Sequence, residues 1–142
     1  MISSIIGYLL MVGGLVGLIL RHQVLSPSPA VIAVQVAALL LMVWARATFG
    51  RRSFHLTATP TEGGLVRTGP YRWIRHPIYA AVCLFVWGCF LGHPSSFAVA
   101  MAALTTMGAI VRMLVEEKAL RLRYPEYDAY ARVTKRVIPF VV

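Results

Sequence analysis

Two clusters of polar side chains stand at the edges of apolar runs, where groups capable of chemistry are scarce. The first is Gly69-Pro70-Tyr71-Arg72-Trp73-Ile74-Arg75-His76-Pro77-Ile78-Tyr79, which packs two arginines, one histidine, two prolines and three aromatics into eleven residues. The second is Glu116-Glu117, two of only five acids in the chain. Ionisable groups at membrane depth are costly and tend to mark a site, although Tyr, Trp and Arg also form interfacial belts that anchor helices at the headgroups. The glutamates have an ordinary reading too. Arg112 and Glu116, and Glu117 and Arg121, stand at i,i+4, the spacing of helix-surface ion pairs. Adjacent acids at a helix C-terminus nevertheless repel each other and oppose the dipole, so a cation should compensate them. Arg75-His76 or a positively charged ligand would serve. A pocket lined by His76, Tyr79, Glu116 and Glu117, half in lipid and half in water, suits the reaction of an amphiphilic molecule.

The elements that must position these groups are membrane helices. Of 142 residues, 58% are hydrophobic and 13% charged, with a mean hydropathy of +0.72; a soluble fold would lack the polar surface to cover itself. The length is that of one domain. A net charge of +9 could suggest nucleic acid. Here, however, the basic residues fall between and after apolar runs, as in loops that face anionic headgroups, and nucleic acid is not expected as a partner. Cys83 and Cys89 lie inside an apolar run without metal-ligand spacing, and His22, His55 and His93 are isolated, so no metal site is expected.

Ile2 to Leu20 is an uncharged run long enough to span, and it lacks the basic flank and cleavage site of a signal peptide. Gly13 and Gly17 in it form a GxxxG pattern suited to close helix packing. Ser26-Pro27-Ser28-Pro29 marks a turn. Residues 30–45 form a second span, in which Gln35 is expected to bond a neighbouring helix. Residues 46–77 are a basic loop or short interfacial segment, broken at Thr59-Pro60 and Gly63-Gly64. Ile78 to Leu91 is a third, shorter apolar run that ends at Gly92-His93-Pro94, and Ser95 to Val115 is a fourth. Residues 116–142 form a charged tail.

Six Lys and Arg lie in the central loop and six after Val115, against one in the first connector. The positive-inside rule then puts both basic segments, and both termini, in the cytoplasm. The fold expected is an all-α, polytopic membrane bundle of about four transmembrane segments with a cytoplasmic helical tail. Trp44, Trp73 and Trp87 fit interfacial or packing positions, while Tyr124, Tyr127 and Tyr130 fit packing of the tail, with a place at the border of an acceptor site as the alternative for one of them. A small proton-coupled transporter would need an acid within a span, and the first three runs contain none.

The order Gly-Pro-Tyr-Arg-x-x-Arg-His-Pro-x-Tyr, helical hairpin, Glu-Glu-x-x-Leu, Tyr-x-x-Tyr, Ile-Pro resembles the isoprenylcysteine carboxyl methyltransferase and phospholipid methyltransferase group over residues 68–139. The resemblance implies a membrane methyltransferase that uses S-adenosylmethionine without a Rossmann domain. It assigns Arg75, His76, Pro77 and Tyr79 to one wall of the cofactor pocket and Glu116 and Glu117 to the other. The acceptor implied is lipidic or amphiphilic, either an isoprenylcysteine-like carboxylate or a phospholipid-like amine. On the acceptor side, family tails carry an arginine where this chain has Val133; Arg132 beside it and the retained Arg136 are the candidates for that role. A non-catalytic lipid-binding or assembly protein derived from the same family is the alternative.

Overall fold

The computed structural model describes residues 2–50 and 64–138, so the expected breaks at Thr59-Pro60 and Gly63, together with Arg51, Arg52, His55, Glu62 and Pro139, lie outside the described residues. Among the described residues five α-helices follow one another: α1 (Ile2–Leu20), α2 (Pro29–Phe49), α3 (Pro77–Gly92), α4 (Ser96–Arg123) and α5 (Tyr127–Val133), with a 3-10 turn at Gly69–Arg72 before α3. The fold is an all-α membrane bundle. Helices α1, α2 and α4 are long and apolar enough to cross a membrane, and α3 is a shorter apolar helix. At 1.5 Å per residue, the 16 residues of α3 span about 24 Å against about 30 Å of hydrocarbon.

The start of each helix is written into its first residues. Pro29 and Pro77 occupy the first helical turn of α2 and α3, where a missing N–H costs nothing and the fixed φ is already helical. Ser95 caps α4 by accepting from the amide of Ala98 at 3.1 Å. The fourth run does not stop at Val115 as its apolar length implies. It continues as helix to Arg123, because alternating Glu, Lys, Arg and Leu are good helix formers in water as well.

Packing is inverted relative to a soluble bundle. The buried face of α1 is Ser4, Gly7, Gly14 and Leu18, and that of α2 is Val31, Gln35, Ala38 and Ala45. Many of the large Ile, Leu and Val side chains point outward. Small residues inside let backbones approach, which is how helices associate where lipid is as apolar as leucine. On α1, Gly7 and Gly14 make this approach. A Cβ at Gly14 would lie 2.6 Å from the Met101 carbonyl, one at Gly7 2.8 Å from that of Gly108, and one at Gly13 would meet open space. Of the GxxxG pair, Gly17 does face α4, where a Cβ would lie 2.6 Å from Met101 Sδ, whereas Gly13 does not and its neighbour Gly14 makes the close approach instead. Because α1 is apolar all round, hydrophobicity cannot set its rotation.

Gln35 behaves as expected: its Nε2 donates to the Val24 carbonyl at 2.7 Å in the α1–α2 connector and reaches Cys89 Sγ on α3 at 3.5 Å. At this end of the bundle Leu18, Val86, Cys89, Ala98 and Ala102 form one apolar core. At the other end Tyr79, Ala109 and Met113 form a second, and there the polar clusters meet.

Candidate functional site

The hairpin of α3 and α4 returns the chain to the end it left, so the residues before α3 and those after the apolar part of α4 become neighbours. Twenty residues from Ser96 account for about 30 Å of rise, which sets Glu116 and Glu117 at the boundary of a bilayer. Being consecutive on a helix, the two glutamates point in directions about 100° apart, and they meet different partners.

Glu117 turns inward and is 1% exposed. Its Oε1 accepts from Arg75 Nε at 3.4 Å and Arg136 Nε at 3.0 Å and lies 3.3 Å from His76 Nε2. Its Oε2 accepts from Arg136 Nη2 at 3.1 Å and Arg121 Nη2 at 3.3 Å. A carboxylate offers about four lone-pair positions, and these contacts fill them. Three arginines and a histidine around one buried acid supply the compensation that adjacent glutamates require.

Glu116 is more open, with its side chain 26% exposed. Its Oε1 accepts from the Tyr79 hydroxyl at 2.5 Å, and its Oε2 lies 3.6 Å from His76 Nδ1. His76 thus stands between the two carboxylates with a ring nitrogen toward each. Burial works against charge on this imidazole, but hydrogen bonds and charge from Glu116 and Glu117 outweigh it and raise its pKa above the ordinary 6.5. The cation expected opposite the acids is therefore supplied by the chain.

A tail strap locks the arrangement. Lys135 N donates to the Trp73 carbonyl at 3.0 Å, Arg75 N to that of Lys135 at 2.7 Å and His76 N to that of Arg136 at 3.0 Å, around a parallel bridge between Ile74 and Lys135. Arg75 Nη1 donates to the carbonyls of Ala131 at 2.7 Å and Thr134 at 2.5 Å, placing a cation at the C-terminus of α5, where the helix dipole is negative. Tyr130 donates its hydroxyl to the Tyr71 carbonyl at 2.6 Å. Arg75 is thus shared between holding the tail and facing Glu117. Pro77 is buried at the start of α3, where it fixes the backbone on which His76 and Tyr79 sit.

Of the residues singled out from the sequence, Arg75, His76, Tyr79, Glu116, Glu117 and Arg136 form one connected cluster. Arg132 lies exposed on α5 beside an 80% exposed Val133. The structure adds two residues to the site. Tyr127, read as tail packing, is fully buried under the Arg121 guanidinium, 5.4 Å from its ring centroid, with a hydroxyl that has no partner among the described residues. Burial and the charge of Glu117 push its pKa up, so it is a donor at neutral pH. Arg112, read as a surface ion pair, is buried.

Beside the cluster lies an apolar cavity of 850 Å³ lined by residues that include Leu41, Trp44, Trp73, Ile74, Cys83, Trp87 and Val137. It lies among α2, the 3-10 turn, α3 and the end of the tail, and Ile74 and Val137 are sequence neighbours of Arg75 and Arg136. A cavity of this size could take the chains of a lipid.

Residues 29–127 match the family described as phospholipid methyltransferase, which covers α2 to the start of α5. The nickel-cobalt-cadmium resistance protein NccN of Alcaligenes xylosoxydans xylosoxydans is 37% identical over 81 residues, 53% of this chain and 36% of that protein. The chain therefore spans about a third of the length of that relative. No solved structure matches.

Proposed function

We propose that this chain, which belongs to the phospholipid methyltransferase family, moves a methyl group from S-adenosylmethionine to a lipidic or amphiphilic acceptor at the cytoplasmic membrane face. The observation that carries the reading is adjacency: a polar cluster with one accessible carboxylate borders an 850 Å³ apolar cavity.

The donor set suits this cofactor. Its methionine portion bears an ammonium and a carboxylate, and its ribose bears two hydroxyls. Glu116 Oε2 can accept from the ammonium or the hydroxyls, Arg75 with the charged His76 beside it makes this wall cationic toward the carboxylate, and the orphaned Tyr127 hydroxyl can donate to a polar atom. When bound, the cofactor supplies a methyl carbon on a sulfonium, whose C–S bond breaks as the acceptor's lone pair bonds to carbon.

The residues of the chain then have three tasks. Glu117, with its lone pairs filled, acts by fixing Arg75, His76 and Arg136 in place. Pro77 and Tyr79 hold the α3 side of the wall. The apolar cavity excludes water and holds the acceptor in line, which is the main requirement for a displacement at an activated methyl. Arg136, at the junction of cluster and cavity, and Arg132, on the outer side of α5, would meet an anionic acceptor group. An ionised carboxylate attacks without proton transfer, whereas an amine must first lose a proton, and Glu116 is the open base. The even number of crossings between the two basic segments supports the cytoplasmic assignment.

Calorimetry with S-adenosylhomocysteine on protein purified into a lipid-like environment tests the donor side. The expected affinity is micromolar, on the order of −8 kcal/mol, and weakens about tenfold or more in His76→Ala. Radiolabel transfer from the methyl donor into a lipid extract tests the acceptor side. Cofactor binding without transfer into any lipid or amphiphile would point to the non-catalytic alternative.

A further inference from the structure

Arg112 is 5% exposed and sits one helical turn inside Glu116, toward the apolar part of α4. A guanidinium at that depth is expensive and persists where its hydrogen bonds serve a purpose. Its Nε donates to the Tyr79 hydroxyl oxygen at 2.9 Å, its Nη2 lies 3.7 Å from Glu116 Oε1, and its Nη1 points to the Ser4 carbonyl at 3.4 Å. The Tyr8 ring on α1 lies 5.5 Å from its carbon centre. One side chain thus joins α1, α3 and α4 around the more open glutamate.

A phenol has one hydrogen and accepts through its oxygen. With Arg112 donating to that oxygen, the Tyr79 hydrogen points to Glu116 Oε1, as the 2.5 Å contact requires. Tyr79 and Arg112 both engage Oε1, whereas Oε2 faces His76 Nδ1 at 3.6 Å, beyond hydrogen-bond distance, and is the oxygen with lone pairs left for a ligand. Helix α1 lies outside the matched family region, residues 29–127, yet the packing of Gly7 against Gly108 and of its N-terminal turn against Arg112 sets the position of this guanidinium.

We propose that Arg112 is a positioning residue for the methyl-donor site: through the Tyr79 hydroxyl it fixes the rotation of the Glu116 carboxylate, so that one oxygen is held by the chain and the other is presented to the cofactor. The proposal rests on the cofactor assignment made above.

The test is a double-mutant cycle on S-adenosylhomocysteine affinity with Arg112→Lys, Tyr79→Phe and the double variant, each checked for folding by thermal unfolding. Lysine keeps the buried charge but cannot reach Tyr79, Glu116 and Ser4 together. Each single variant should lose about tenfold in affinity and the double variant about tenfold as well, because both remove the same link. In turnover assays the KM for the methyl donor should rise while kcat at saturating donor holds, a split that simple loosening of the bundle would not give. Losses that multiply to about a hundredfold in the double variant, or wild-type affinity in Arg112→Lys, would overturn the positioning role alone. If Arg112→Lys fails to fold, Tyr79→Phe decides: wild-type affinity there overturns the proposal. Absence of binding by the wild type would overturn the cofactor assignment and the proposal with it.

Discussion

Arg136 grips Glu117 with two arms of its fork, Nε to Oε1 at 3.0 Å and Nη2 to Oε2 at 3.1 Å, across 19 residues of chain. This bidentate pair fastens the tail to the C-terminal third of α4, and the backbone pairing of Lys135 with Trp73 and Arg75 lies next to it. The arginine is 43% exposed and the acid 1%, so the contact forms one closed side of the polar cluster rather than its interior.

Removing the arginine should therefore loosen the tail without collapsing the bundle. Charge-assisted hydrogen bonds are worth about 1.5–3 kcal/mol, and exposure of the guanidinium reduces this to about 1 kcal/mol for Arg136→Ala. Arg136→Lys keeps the charge but not the fork and should recover part of the loss. Thermal unfolding together with the rate of proteolytic nicking after α5 would measure both. Equal stability of Arg136→Ala and wild type would show that the backbone pairing alone holds the strap.

The two glutamates should separate cleanly. Glu117→Gln leaves Arg75, His76, Arg121 and Arg136 without their common anion, and unpairing buried charge typically costs about 3 kcal/mol or more. Glu116→Gln keeps a partner for Tyr79 and should change stability by less than about 1 kcal/mol, while cofactor affinity falls about tenfold or more. Denaturation midpoints and calorimetry on the same two preparations check this. The reverse pattern would exchange the roles assigned here.

How much of this was legible beforehand varies with the physics involved. The need for cations around Glu116-Glu117 could be read directly, because two adjacent acids at the end of an apolar run repel each other wherever the helix stops, and α4 in fact runs on to Arg123. Which acid is buried could not be read: that depends on the rotation of α4 and on where the tail lands. Backbone pairs such as Lys135 to Trp73 leave no mark in side-chain pattern. Arg112 looked like a surface partner of Glu116 because i,i+4 spacing says nothing of what covers the pair, and α1 covers it. Trp44, Trp73 and Trp87 were identified as interfacial or packing residues one by one; their common cavity exists only once α2 and α3 are packed.

His76 gives the chain a pH dependence of definite sign. Its folded pKa lies above the ordinary 6.5, because Glu116 and Glu117 outweigh burial. A group raised on folding contributes stability that is fully present below its unfolded pKa and is lost as pH rises through the folded value. Stability should therefore decline as pH is raised from about 6.5, and the decline should flatten in His76→Gln, which cannot be charged. Unfolding midpoints taken across neutral pH test this. A wild-type profile that climbs toward about 6.5 from lower pH and is flat above it would mean that the imidazole is neutral in the folded protein.

The apolar cavity should govern the acceptor and not the donor. Cys83 lines it from α3, and Cys83→Phe would fill part of its volume. The KM for a lipidic acceptor should rise about tenfold, in line with loss of one to two kcal/mol of apolar contact, with S-adenosylhomocysteine affinity unchanged. Turnover and calorimetry on one preparation distinguish the two sides. A loss of cofactor affinity would mean that the cavity and the polar cluster are not separate compartments.

Packing between α1 and α4 offers a test that needs no ligand. An added methyl at Gly14 would press against the Met101 carbonyl at 2.6 Å, a backbone atom that cannot move without displacing α4. Overpacking of this kind costs about 1–3 kcal/mol. The same methyl at Gly13 meets nothing within 4 Å and, by replacing glycine in a helix, should be neutral or gain up to about 1 kcal/mol. Gly14→Ala should thus lower the unfolding midpoint and Gly13→Ala should not. Since α1 also carries Ser4 and Tyr8 to Arg112, Gly14→Ala should weaken cofactor binding in step with stability. Opposite behaviour of the two glycines would mean that α1 is rotated by one residue, which would carry Ser4 away from the guanidinium.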